Sequence, residues 1–134
     1  RRGLLVVSAR WAGASMLIGF LAGMWLSANQ GRFVGEAGNL LPLHAAGFHA
    51  VQAVPLIALM LAWSSVSTDA ARRWVHLAGA AWTAACLAIW WQTAHGRPVT
   101  DLAGTGILAV ILLATWAIVA LRGLVAWRMQ SSTL

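Results

Sequence analysis

The side chains best suited to chemistry crowd into one apolar stretch. Between Pro42 and Trp63 lie His44, His49 and Gln52, with Pro55 one turn further on. A neutral imidazole donates one N–H and offers one lone pair, and an amide does both, so either type binds a small ligand or bridges two helices. On a helix His49 and Gln52 are three apart and share a face, so their side chains can touch. His44 and His49 are five apart, roughly 140° around the helix, and do not form the i, i+4 pair that chelates a metal from one helix. Ala45 lines up with His49, and Gly47 leaves the backbone nearby open, so small residues make room beside the imidazole. The site expected from these residues is cofactor-binding, built on His49 and Gln52 with help from His44. A metal would draw on His44, His49 and His95. The ligands that fit such a site are a haem or chlorin, a quinone head group or a metal ion. The plainer reading is that His49 and Gln52 hydrogen-bond between helices; such pairs in membranes are worth on the order of 0.6 kcal/mol and are common without special function.

Other constellations are thin. The only acids are Glu36, Asp69 and Asp101, and none lies within an apolar run, so no carboxylate pair is available for general acid–base work. There is no glycine-rich phosphate loop and no HExxH. Ser15 and Ser27 have no base on their own helix. Cys86 is the only cysteine, which excludes an intramolecular disulfide and a cysteine-based zinc cluster. No catalytic residue is assigned, and the expectation leans away from an enzyme. His76 reads as an interfacial histidine and His95, beside Gly96 and Pro98, as a loop residue.

The elements that must carry these residues are greasy helices. Of 134 residues 60% are hydrophobic and 9% charged, and the mean hydropathy is +0.76. A soluble domain carries about 25% charged residues, so this chain could not clothe a globule in polar surface. A helix needs roughly 20 apolar residues to cross a bilayer. The hydrophobic runs predict four spans at about 6–28, 42–63, 72–93 and 102–127, in a single transmembrane domain over 1–134. The expected fold is all-α, an up-down four-helix bundle in the membrane. Arg1 to Val7 reads as continuous with the first span rather than as a cleavable leader. Pro42 suits a first helical turn, whereas Pro55 removes the hydrogen bond to the Val51 carbonyl and is expected to kink its helix. Ser15, Gly19 and Gly23 are four apart and form a small-residue face that lets a neighbouring helix approach closely. Asp69 is expected in the N-cap region of the third span.

Nine arginines and no lysine account for the net charge of +6. They stand at the ends of apolar runs, without a basic face interleaved with aromatics, so nucleic acid is not an expected partner. Four spans put seven of them (Arg1, Arg2, Arg10, Arg72, Arg73, Arg122, Arg128) on one side and two (Arg32, Arg97) on the other. The positive-inside rule then places both termini in the cytoplasm. Tryptophans fall at the expected interfaces, except Trp82 and Trp116, which sit mid-span and are expected between helices or against a bound lipid or pigment.

The run His44, Gly47, His49, Ala50, Gln52, Pro55 and Leu56 has the pattern HxxGxHAxQxxPL. It is followed by a Trp91, Gln92, Gly96, Pro98 turn. In this it resembles a group of uncharacterised bacterial multi-pass inner-membrane proteins. The likeness spans roughly Asn39 to Asp101 and implies a location in the bacterial inner membrane, with no activity to carry over. The expected role is that of a non-catalytic accessory or ligand-binding subunit of a membrane assembly, its His/Gln site in the outer half. Its partners would be the lipid bilayer and other membrane subunits or further copies of itself. The alternative is a redox subunit holding haem b or a quinone at His49. A small transporter is third, disfavoured because no span carries buried charge or broken-helix symmetry.

Overall fold

The computed structural model describes residues 2–131. Its elements in order are α1 (Arg2–Ala28), a two-stranded antiparallel hairpin of β1 (Phe33–Val34) and β2 (Gly38–Asn39), α2 (Leu40–Ala62), α3 (Thr68–Ala94) and α4 (Thr105–Ser131). All four helices are long and apolar enough to cross a membrane. At 23 to 27 residues each, they measure roughly 35–40 Å, against about 30 Å of hydrocarbon.

The helix ends follow local chemistry. α1 starts at Arg2 rather than at Val6, because Leu4, Val7 and Ser8 are buried and draw the first turns into the bundle. α2 is capped by Asn39, whose Oδ1 accepts from the Leu41 N–H at 3.0 Å, and Pro42 stands in the first turn. The cap of α3 is Ser67, whose Oγ accepts from the Ala70 N–H at 3.4 Å. Asp69 lies within the first turn, where its charge suits the positive end of the helix dipole. α4 starts at Thr105 rather than near Leu102. Asp101 Oδ1 accepts from the Ala103 N–H at 2.9 Å and Gly104 has φ +55°, so residues 101–104 are turned out of the helix. Across Pro55, α2 stays helical without a break.

The four helices do not form a square. α2 and α3 are the central pair, α1 packs on both from one side, α4 packs on both from the other, and α1 and α4 barely meet. The core divides into two apolar clusters. One, including Leu4, Ile57, Leu61, Val75 and Val119, lies at the arginine-rich end. The other, including Ile18, Ala22, Leu43, Cys86 and Ile89, lies toward the hairpin. Between them runs a middle layer of polar contacts, which holds the neighbours of the candidate site.

The hairpin folds over the end of α3. The Ala37 N–H donates to the Gly96 carbonyl at 3.0 Å. A Cβ on Gly35 would come within 2.9 Å of the Gly96 Cα, so the two loops touch backbone to backbone. Both glycines have positive φ, +60° and +68°, a conformation that costs a larger residue dearly.

Candidate functional site

The site begins at the crossing of α1 and α2. A Cβ on Gly47 would stand 2.5 Å from the Gly19 Cα, so no side chain fits between these two backbones. One turn away, His44 Nδ1 lies 2.9 Å from the Gly19 carbonyl oxygen. A carbonyl only accepts, so Nδ1 carries the proton and donates. Gly23 makes room for this ring, since a Cβ there would lie 3.0 Å from His44 Cε1. Phe48 meets His44 edge-on at 4.8 Å and Phe20 at 4.9 Å. His44 is thus half-buried, and its first nitrogen clamps α2 to α1.

Ser15 turns to α3 instead. Its Oγ lies 2.8 Å from Thr83 Oγ1, and Thr83 donates its own proton to the Gly79 carbonyl at 2.9 Å, so Ser15 is the donor. The face of Ser15, Gly19 and Gly23 therefore serves two neighbours, with Ser15 fully buried against α3. Trp82 and Trp116 lie between helices and meet edge-on at 4.9 Å. Each donates its indole N–H to a carbonyl of α2, Trp82 to Ala46 at 3.0 Å and Trp116 to Ala53 at 3.3 Å.

His49 and Gln52 lie on the opposite side of α2. They do meet, His49 Nδ1 standing 3.0 Å from Gln52 Oε1. Both are exposed on the surface of the bundle. Among the described residues the pair hydrogen-bonds only to itself and does not bridge two helices of this chain. The reason is geometric. Leu40, Leu43, Gly47, Ala50, Val54, Ile57, Ala58 and Leu61 are the buried residues that bind α2 to its neighbours, and at 100° per residue His49 and Gln52 lie outside that sector. Leu41, Ala45, Leu56 and Trp63 are exposed on the same outward side. His49 is roughly 14 Å, and Gln52 roughly 18 Å, from the start of a helix roughly 35 Å long, so the pair stands near its middle.

His95 caps the C-terminal end of α3. It is exposed, donates Nδ1–H to the Trp91 carbonyl at 2.8 Å and lies against the Trp91 ring at 4.5 Å. His44, His49 and His95 are not brought together. Among the described residues no group of three or more His, Cys, Asp or Glu is placed to hold a metal ion.

Two contacts go beyond what residue types indicate. Gln92 is 2% exposed, and its Nε2 donates to the carbonyls of both Pro98 and Asp101, the latter at 2.9 Å. One amide thus closes the α3–α4 turn. The only sequence signal is an amide one turn before a Gly-X-Pro breaker. The second is at the arginine-rich end. Trp11 donates its indole N–H to His76 Nδ1 at 3.1 Å, beside a groove of about 320 Å³ lined by these two, Val7, Arg10 and Ala14.

Chemically, the His49–Gln52 pair is a hydrogen-bonding unit. If His49 donates through Nδ1, its Nε2 lone pair and the two Gln52 Nε2 protons stay open. Compared with protein-family models, with curated proteins and with solved structures, the chain matches none.

Proposed function

We propose that this chain is a polytopic inner-membrane protein that acts as a non-catalytic, accessory subunit of a membrane assembly. The outward face of α2 around His49 and Gln52 would be the surface that meets its partner or ligand. The observation that carries this reading is the exposure of that pair near the middle of an apolar helix. Lipid tails offer no hydrogen bonds, and an unsatisfied polar group in hydrocarbon costs several kcal/mol. The interior of the bundle follows the same rule, for among the described residues no buried side-chain nitrogen or oxygen lacks a partner. The open groups of His49 and Gln52 are then best explained by a partner that covers them. Both termini are assigned to the cytoplasm on the arginine distribution, which places the pair in the outer half.

The test is extraction of the tagged chain in native lipid with an amphipathic polymer. Wild type should be recovered in an assembly, and His49→Leu with Gln52→Leu should lose it while keeping helical content. Equal recovery of assembly from wild type and the double variant would refute the reading.

A second reading is favoured by one detail. The hydrogen bond on His49 Nδ1 leaves Nε2 open, as in a haem- or metal-ligating histidine oriented by its other nitrogen. A redox subunit that shares a haem b or a quinone with a partner would use that nitrogen. A visible absorption spectrum of the natively extracted protein tests the haem form of this reading, because a Soret band should appear in wild type and vanish in His49→Gln.

A further inference from the structure

Resting on the assembly reading above, we propose that the partner on α2 is a second copy of this chain, joined in a parallel, two-fold symmetric dimer through α2. The first ground is the spacing of the outward face. Leu41, Ala45, His49, Gln52, Leu56 and Trp63 are exposed and fall within an arc of about 80° at 100° per residue. From Ala45 to Leu56 the steps are four, three and four, and Trp63 follows seven residues after Leu56. This is the alternation of a coiled-coil seam, which two like helices bury by crossing at about +20°. Steps of three and four are those of any one face of a helix; what sets this face apart is the polar pair at its centre, which a face that meets only lipid has no need of.

The second ground is chemical. Within one copy the pair consumes His49 Nδ1 and Gln52 Oε1 and leaves one acceptor, His49 Nε2, with the donors of Gln52 Nε2. In a two-fold dimer each copy's acceptor meets the other copy's donor, so both open groups are satisfied at once. Turning the amide over and moving the imidazole proton exchanges donor and acceptor, and the pairing remains self-complementary. Isologous contact requires this property, since residue i must meet j while j meets i. The two residues differ in height by roughly 4.5 Å on their helix, a gap that these side chains span. A polar position inside an apolar seam also sets register and partner number. Ala45 lets the helices come closest at the hairpin end, and Trp63 holds them apart at the other.

Disulfide cross-linking in membranes tests the contact directly. In a Cys86→Ala background, Ala45→Cys and Leu56→Cys should each give a covalent dimer on mild oxidation. Leu87→Cys on α3 and Leu121→Cys on α4, both exposed, should stay monomeric. Adding His49→Leu and Gln52→Leu should weaken the dimer roughly tenfold, as expected for losing two interhelical hydrogen bonds. Cross-linking at all four sites alike, or at none in protein that is present at wild-type level, would overturn the dimer. If the stripe variants stay monomeric while the double variant still loses a different co-extracted protein, the dimer fails and the assembly reading stands. If the double variant changes neither, both fail.

Discussion

Substitution of Gly47 by alanine should be among the most damaging single-methyl changes in this protein. A Cβ there would stand 2.5 Å from the Gly19 Cα and nitrogen and 2.9 Å from the Ser15 carbonyl oxygen. Ordinary van der Waals contact begins at 3.4 Å, so α1 must retreat from α2 by about 0.9 Å. The obstacles are backbone atoms, which have no rotamer to yield. The same retreat stretches the His44 to Gly19 hydrogen bond from 2.9 Å to about 3.8 Å, beyond hydrogen-bonding range. Overpacking of this kind costs about 1–3 kcal/mol, and the interhelical hydrogen bond adds on the order of 0.6 kcal/mol. Gly19→Ala is milder, because its Cβ would meet Phe48, Gly47 and His44 at 3.1–3.2 Å. Gly13→Ala has nothing within 4 Å and replaces a poor helix former, a gain of up to about 1 kcal/mol. Unfolding in mixed detergent micelles, followed by tryptophan fluorescence, should rank them Gly13→Ala, wild type, Gly19→Ala, Gly47→Ala in falling stability. If Gly47→Ala is as stable as wild type, the two backbones are not in contact and the reasoning about this crossing fails.

Three further outcomes are expected. A reporter fused to the C-terminal end should read cytoplasmic and one inserted near Gly38 extracytoplasmic, since seven of nine arginines lie on the terminal side; a reversed pattern would invert the sidedness of the His49 pair. Gln92→Leu should strand the carbonyls of Pro98 and Asp101, at a cost of about 1–3 kcal/mol, and limited proteolysis should then cut within 97–104 faster than in wild type. Gly79→Ala would drive a Cβ into the Trp11 ring, so the Trp11–His76 hydrogen bond should be lost, and indole ¹⁵N NMR of Trp11 should show a large shift.

The number and rough extent of the helices were legible because an apolar run of span length admits few other readings. The boundaries moved where a short side chain rather than hydropathy decides, as at Ser67 and at residues 101–104. Facing was the harder matter. A soluble helix advertises its buried side by amphipathicity, but these helices are apolar all round, so the sequence pattern does not say which side meets a neighbour. His49 and Gln52 were legible as a touching pair from their spacing, yet their direction depended on where Gly19 and Gly47 let α1 settle. His44 shared the stretch and the chemistry, and it became a clamp because its turn of α2 looks at α1. Gln92 was legible as part of a turn motif, but its role was not, because its partners are carbonyls of a turn, and carbonyls leave no trace in residue types. The hairpin escaped for another reason: its strands are two residues each, too short for alternation to register.

A partner held on the outward face of α2 through His49 and Gln52 adds its mass to the extracted particle. The most direct measurement is the mass of the particle extracted in native lipid, by native mass spectrometry, for wild type, His49→Gln and the His49→Leu, Gln52→Leu double variant. Wild type should exceed the 14.2 kDa of one chain. His49→Gln, which still hydrogen-bonds, should largely keep that mass, and the double variant should shift markedly toward a single chain with its helices intact. A single 14.2 kDa chain for wild type, or an unchanged larger mass for the double variant, would contradict the claim.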